Sequence, residues 1–170
     1  MEISNNDIRY TKALEGYLKD LGEKSYCYSY LHKKAEALYS KKATKIDLPV
    51  IILSTLSGTL SIGNSAIFGV YEKEANMGIG VLSIFVSILN TIGTYFCFSK
   101  RAENHRLNHI QYGKLHRFLE IELKLCRKER MNPNDLLKVV REQYERLDEI
   151  SPLIPQKILN RFQNKYLWYR

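Results

Sequence analysis

LPVIILSTLSGTLSIGNSAIFGVY, residues 48–71, runs for 24 residues without a formal charge. EKE follows at 72–74, and ANMGIGVLSIFVSILNTIGTYFCFS, residues 75–99, is free of charge for 25 more. A helix of about 20 apolar residues crosses the roughly 30 Å hydrocarbon core of a bilayer. Each run is therefore expected to be a transmembrane helix, with some length to spare for tilt. In the first, Leu48, Val50, Ile51, Ile52, Leu53, Leu56, Leu60, Ile62, Ile67, Phe68 and Val70 together favour insertion by about 5 kcal/mol before polar costs. The second carries a similar set, from Ile79 through Leu82, Phe85 and Leu89 to Phe96 and Phe98. A hairpin buried in a soluble core is the alternative, and core helices seldom avoid charge for so long.

Only Glu72, Lys73 and Glu74 separate the runs, so the expected architecture is an antiparallel two-helix transmembrane hairpin with 72–74 as its short external loop. Lys33, Lys34, Lys41, Lys42 and Lys45 precede it, and Lys100, Arg101, Arg106, Lys114 and Arg117 follow. Positive flanks stay in the cytosol, which places both termini there. Lys41, Lys42, Lys45, Lys100 and Arg101 are the expected contacts with anionic lipid, at about 1 kcal/mol each near such a surface. Tyr39, Tyr71, Tyr95, Phe96 and Phe98 fall where an interfacial aromatic belt belongs.

Composition agrees once its distribution is considered. The 170 residues carry a formal charge of +8, and the mean hydropathy is mildly polar because charged flanks cancel an apolar centre. The basic residues border the apolar block, so a membrane surface accounts for them better than nucleic acid, and no nucleic-acid partner is expected. Cys27, Cys97 and Cys126 are dispersed, which fits a reducing compartment rather than a disulfide framework. Residues 1–25 lack the apolar stretch of a signal peptide, so insertion is expected to rely on the internal segments.

Residues 1–47 and 100–170 read as cytosolic helices. Asn6 or Asp7 is a candidate cap for the first, Gly16 and Gly22 candidate breaks, and a joint near Asp47 would put Pro49 in the first turn of the span. Leu107, Ile110, Leu115, Phe118, Ile121 and Leu125 mark a stripe continuing from the second span. Asn132-Pro133-Asn134-Asp135 predicts a break and cap before the stripe Leu136, Val140, Tyr144, Leu147 and Ile150. Ser151-Pro152 and Pro155 break again, ahead of a short helix with Ile158, Phe162 and Tyr166. The fold class expected is all-α, the hairpin running into helices that pack as a membrane-proximal bundle.

Residues 46–59, His105-Arg106, Tyr112, Leu115, Glu122-Leu123, Arg127, Arg130, Tyr144, Leu147, Ser151-Pro152-Leu153-Ile154-Pro155 and Phe162 carry a resemblance. Over roughly residues 30–166 the chain resembles the SLATT superfamily of two-helix membrane domains, and within it the versions encoded by large DNA viruses. The resemblance implies a pore-forming or membrane-perturbing effector, since cellular members act beside or fused to nucleotide-sensing partners in bacterial defence. This chain leaves no room for a fused sensor, and viral members have no assigned role. It also implies a viral or host membrane as the location.

The spans hold small polar residues at helical spacing: Ser57, Ser61, Ser65 and Gly69 in the first, Gly80, Ser83, Ser87, Asn90 and Thr94 in the second. Such stripes pack helices together, or in an oligomer line a pore with Asn90 as its most polar point. No acidic or basic side chain lies mid-membrane, which argues against a proton relay. His105 and His109, four apart, could share a metal on one helix face, but no cysteine completes a set and solvated histidines are the plainer reading. Cys97 at the membrane edge could be acylated or simply face lipid. No nucleophile elbow, phosphate loop or paired buried carboxylate is present, so neither enzyme activity, cofactor nor metal is expected. The functional expectation is a homo-oligomeric pore. A structural or scaffolding membrane protein with a cytosolic protein partner, for instance in a viral internal membrane, is the alternative.

Overall fold

A computed structural model describes residues 10–63 and 67–166. Every regular element among them is helical: α1 (Lys12–Ile62), a 3-10 turn (Gly69–Tyr71), α2 (Glu72–Phe96), α3 (Phe98–Lys124), α4 (Pro133–Ile150) and α5 (Gln156–Tyr166). Asn6, Asp7 and Ser65 lie outside the described residues. The packing divides into two units, one built from the chain's outer parts (to Glu36 and from Glu103) and one from Ala37–Ala102.

Helix α1 is a single element of 51 residues. Thr11 caps it, its hydroxyl accepting the Leu14 N–H at 3.2 Å, which supplies one of the orphan donors of a first turn. Neither Gly16 nor Gly22 breaks it, and the joint expected near Asp47 is absent because Pro49 lies inside the helix. Proline brings no N–H there, so the carbonyl of Lys45 loses its helical partner.

In the first unit the buried apolar core is Tyr10, Leu18, Tyr112, Leu115, Leu119, Leu136, Val140 and Leu147. Three expected stripe positions of α4, Leu136, Val140 and Leu147, are buried, whereas Ile150 is exposed. The break before α4 is the one its sequence predicts: Asn132 accepts the Asn134 N–H at 3.0 Å and Pro133 occupies the first turn. One ionic knot ties α1 to the segment that follows α3. Glu15 takes two bonds from Arg127, both at 2.9 Å, and one from Arg130 at 2.6 Å. Arg130 meanwhile donates to the carbonyls of Leu123 and Leu125, closing the C-terminus of α3. The two guanidinium groups hold the Glu15 carboxyl at about 2, well below the ordinary range.

In the second unit α1 and α2 touch along narrow seams. On α1 the withdrawn positions include Tyr39, Ala43, Ile46, Val50, Leu53, Ser57 and Leu60; on α2 they are Ala75, Ile79, Leu82, Val86, Leu89 and Gly93. Both series alternate steps of four and three, the 3.5-residue repeat of knobs-into-holes packing. Ser57 and Ser83 share a hydrogen bond at 2.9 Å, and the Ser99 hydroxyl donates to Asp47 at 3.3 Å. A β-carbon on Gly93 would sit 3.2 Å from Ile46 Cγ2, a tight contact that the Ile46 side chain would have to shift to accept.

Two further boundaries differ from expectation. Residues 72–74 are not the loop: they form the first turn of α2, where Glu72 and Glu74 complement the positive end of the helix dipole. The connection falls upstream, and Gly69 there has φ +47°, a conformation that favours glycine. The second correction is at Cys97. The stripe after the second span is not continuous with it, because Cys97 adopts φ 48° and separates α2 from α3. Its thiol donates to the Thr94 carbonyl at 2.9 Å. Left-handed backbone at a non-glycine residue costs roughly 1–2 kcal/mol, a penalty set against helices packed on both sides.

Candidate membrane interface

An apolar helix in a soluble core is covered; these are not. In the most apolar window of each of the two long helical stretches, only 6% of residues are buried, and α2 contains no buried residue at all. Ile51, Val81 and Ile84 are close to two-thirds exposed, and Ile62 and Val70 at least 90%. The chain thus has two helices long and apolar enough to cross a membrane, and their outer faces are uncovered.

The expected site residues separate into different environments. Ser57 is buried in the seam against Ser83, whereas Ser61 is exposed and Gly69 lies in the 3-10 turn. On α2, Gly80, Ser83, Ser87, Asn90 and Thr94 are exposed. Each sits one residue beyond a seam position, so the stripe runs beside the α1 contact at a rotation of about 100°. The hydroxyls of Ser83, Ser87 and Thr91 donate to the carbonyls of Ile79, Ser83 and Ser87, four residues back. Asn90 has no such internal bond: among the described residues its amide meets no partner.

Of the five expected lipid contacts, only two are brought together. Lys42 of α1 lies 5.6 Å from the Tyr39 ring centre and 5.5 Å from that of Phe98. Arg101 of α3 lies 6.0 Å from the same Tyr39 ring, and Tyr39 and Phe98 stack at 6.4 Å. Lys41, Lys45 and Lys100 are exposed and take no part in this cluster.

The first unit contains a polar seam that apolar periodicity does not reveal. His32 and His105 are buried, 1% and 2% exposed, with their Nδ1 atoms 2.9 Å apart. One Nδ1 must donate and the other accept, so the two rings hold opposite tautomers. Burial pushes the His32 pKa down to about 4, with the neighbouring His105 and His109 adding to the shift; burial also lowers His105. Tyr112 stacks on His32 at 5.7 Å and receives a hydrogen bond from Ser151 at 3.2 Å. His109 and Ser29 form a reciprocal clasp: the ring Nδ1 donates to the Ser29 carbonyl and the Ser29 hydroxyl to the His109 carbonyl, both at 3.0 Å. His105 and His109 therefore face different partners, and among the described residues no group of three or more candidate ligands surrounds a metal position.

His32, Ser25 and Ser29 carry no apolar signal in the sequence. Their signal is the 3.5-residue spacing Leu18, Gly22, Ser25, Ser29, His32, which a search for large apolar residues passes over. Neither family models, curated proteins nor solved structures give a match to this chain.

Proposed function

We propose that the chain is a two-pass membrane protein that assembles with copies of itself, and that the assembly forms a pore of the kind the SLATT resemblance implies. The surface of α2 carries this reading. It is apolar and uncovered apart from one seam and one adjoining stripe of small and polar residues. Lipid satisfies the apolar part. The exposed Asn90 amide gains by facing a water-filled path rather than lipid, since a polar group left unsatisfied in hydrocarbon is costly.

In this account α1 and α2 form an antiparallel hairpin with both termini in the cytosol of a viral or host membrane. The helical apolar part of α1, Leu48–Ile62, rises only about 22 Å. The exposed Ile67, Val70 and Tyr71 then lie at the outer interface, and the Lys45 carbonyl freed by Pro49 lies near inner-surface water. Ser57 faces α2 rather than a central axis, so the pore lining reduces to the α2 stripe centred on Ser87 and Asn90.

A second reading is a membrane scaffold whose helical bundle docks a cytosolic protein. It is favoured by the Ser57–Ser83 bond and by the serine and threonine hydroxyls satisfied within their own helix, since helices that merely pack need no more. Ion flux from liposomes containing the purified protein separates the two. A pore conducts, and Asn90→Leu abolishes the flux while leaving assembly intact; an assembled protein with no flux is a scaffold.

A further inference from the structure

We infer that Lys42 and Arg101 form a binding site for the phosphate of one anionic lipid headgroup, a site that rests on the membrane reading above and narrows its basic collar to two residues. Two cations from different helices flank one ring, Tyr39, at 5.6 and 6.0 Å. Neither makes an ion pair among the described residues, so both charges are without a counter-charge. The carboxylates closest to them in the chain have other partners: Asp47 accepts from Ser99, and Glu103 pairs with Arg106 at 3.6 Å. An anion reached by both flexible side chains would neutralise both charges. A phosphate suits the pair, because guanidinium supplies a planar fork of donors and ammonium a compact charge.

Depth selects a lipid as the source. Lys42 lies about 9 Å of helix before Leu48, and Arg101 about 4.5 Å after Phe98. The headgroup layer extends roughly 5–8 Å beyond the hydrocarbon on each side, within reach of a flexible lysine stem. Tyr39 and Phe98 stack at 6.4 Å beside the two cations, and aromatic rings are enriched at this level. Lys41, Lys45 and Lys100 have the same charge and similar depth without the shared ring, so the structure distinguishes a site from a general basic surface.

The test uses the full chain in phosphatidylcholine nanodiscs doped with phosphatidylglycerol, with retained phosphatidylglycerol counted by native mass spectrometry after detergent release. Wild type retains it. Lys42→Gln with Arg101→Gln lowers retention about tenfold or more, Lys41→Gln with Lys100→Gln leaves it unchanged, and the charge-keeping Lys42→Arg with Arg101→Lys restores most of it. Unchanged helical circular dichroism confirms that each variant folds. Equal loss in both neutralised pairs would replace the site by a diffuse collar, and displacement by inorganic phosphate would make it a free-phosphate site; either overturns the inference. An alkaline carbonate wash is run first: protein released from membranes defeats the membrane reading itself, whereas membrane-held protein retaining no phosphatidylglycerol defeats this site alone.

Discussion

The two units use one packing rhythm with opposite chemistry. The seam positions of α1 step by four and three through Leu18, Gly22, Ser25, Ser29 and His32 in the first unit, and through Ala43, Ile46, Val50, Leu53 and Ser57 in the second. In the first, polar groups are buried and bonded while lysines and glutamates face outward. In the second, from Leu48 onward, the exposed positions carry no charge and include Leu48, Ile51, Ile52, Leu56 and Ile62 among serines and threonines. The difference teaches that the repeat sets which face packs, and the opposite face reports the surroundings. Water suits the first outer surface, and lipid is what the proposed function sets against the second.

If this contrast is correct, truncations should separate by region. Leu115→Ala or Leu136→Ala empties a fully buried site and should lower stability by about 2–5 kcal/mol, read as a lower thermal midpoint of the purified protein. Val81→Ala or Ile84→Ala, on the uncovered surface of α2, should lower it by less than about 1 kcal/mol, because lipid or detergent fills the space. Equal losses would mean that the α2 surface is an ordinary covered core.

Acid should act on the first unit. His32 and His105 have pKa values below their ordinary one, so the unfolded chain takes up protons before the folded one does. Their contribution is fully present above pH 6.5 and declines as the pH falls toward 4, by up to about 3 kcal/mol for His32. Glu15, held at about 2, withdraws its contribution in a lower window, below pH 4.5. Protection factors of the α1 amides around His32, with the intrinsic pH dependence of exchange divided out, should therefore fall between pH 7 and 4.5, and His32→Gln should flatten that fall. An unchanged profile in His32→Gln would remove the histidine pair from the account.

The smallest effect belongs to the contact inside the second unit. A double-mutant cycle of Ser57→Ala and Ser83→Ala should give a coupling near 0.6 kcal/mol, as hydrogen bonds between membrane helices do. Zero coupling would mean that this bond adds nothing to the seam.

The apolar blocks, the cap at Asn132 and the α4 stripe were legible in the sequence because large residues mark them. The helix boundaries were less so. Ile67, Phe68 and Val70 read as span although the helix ends at Ile62, since hydropathy carries no information about backbone direction. Pro49 reads as a boundary, yet α1 is long and packed enough to absorb one lost hydrogen bond. Cys97 gives no signal of left-handed backbone, because its residue type does not favour it. The histidine pair was hidden for a different cause: its members stand 73 residues apart at seam positions where small and polar side chains resemble exposed ones. The cluster at Tyr39 needed the fold, since five cations look alike until two meet at one ring.

The central claim is that the second unit crosses a bilayer twice and returns to the side from which it started. Membrane-impermeant maleimide added to sealed vesicles tests it most directly, using chains with a single cysteine, either the native exposed Cys126 or one introduced by Lys73→Cys. Labelling of the two positions from opposite sides of the membrane is the predicted result; labelling of both from one side would contradict it.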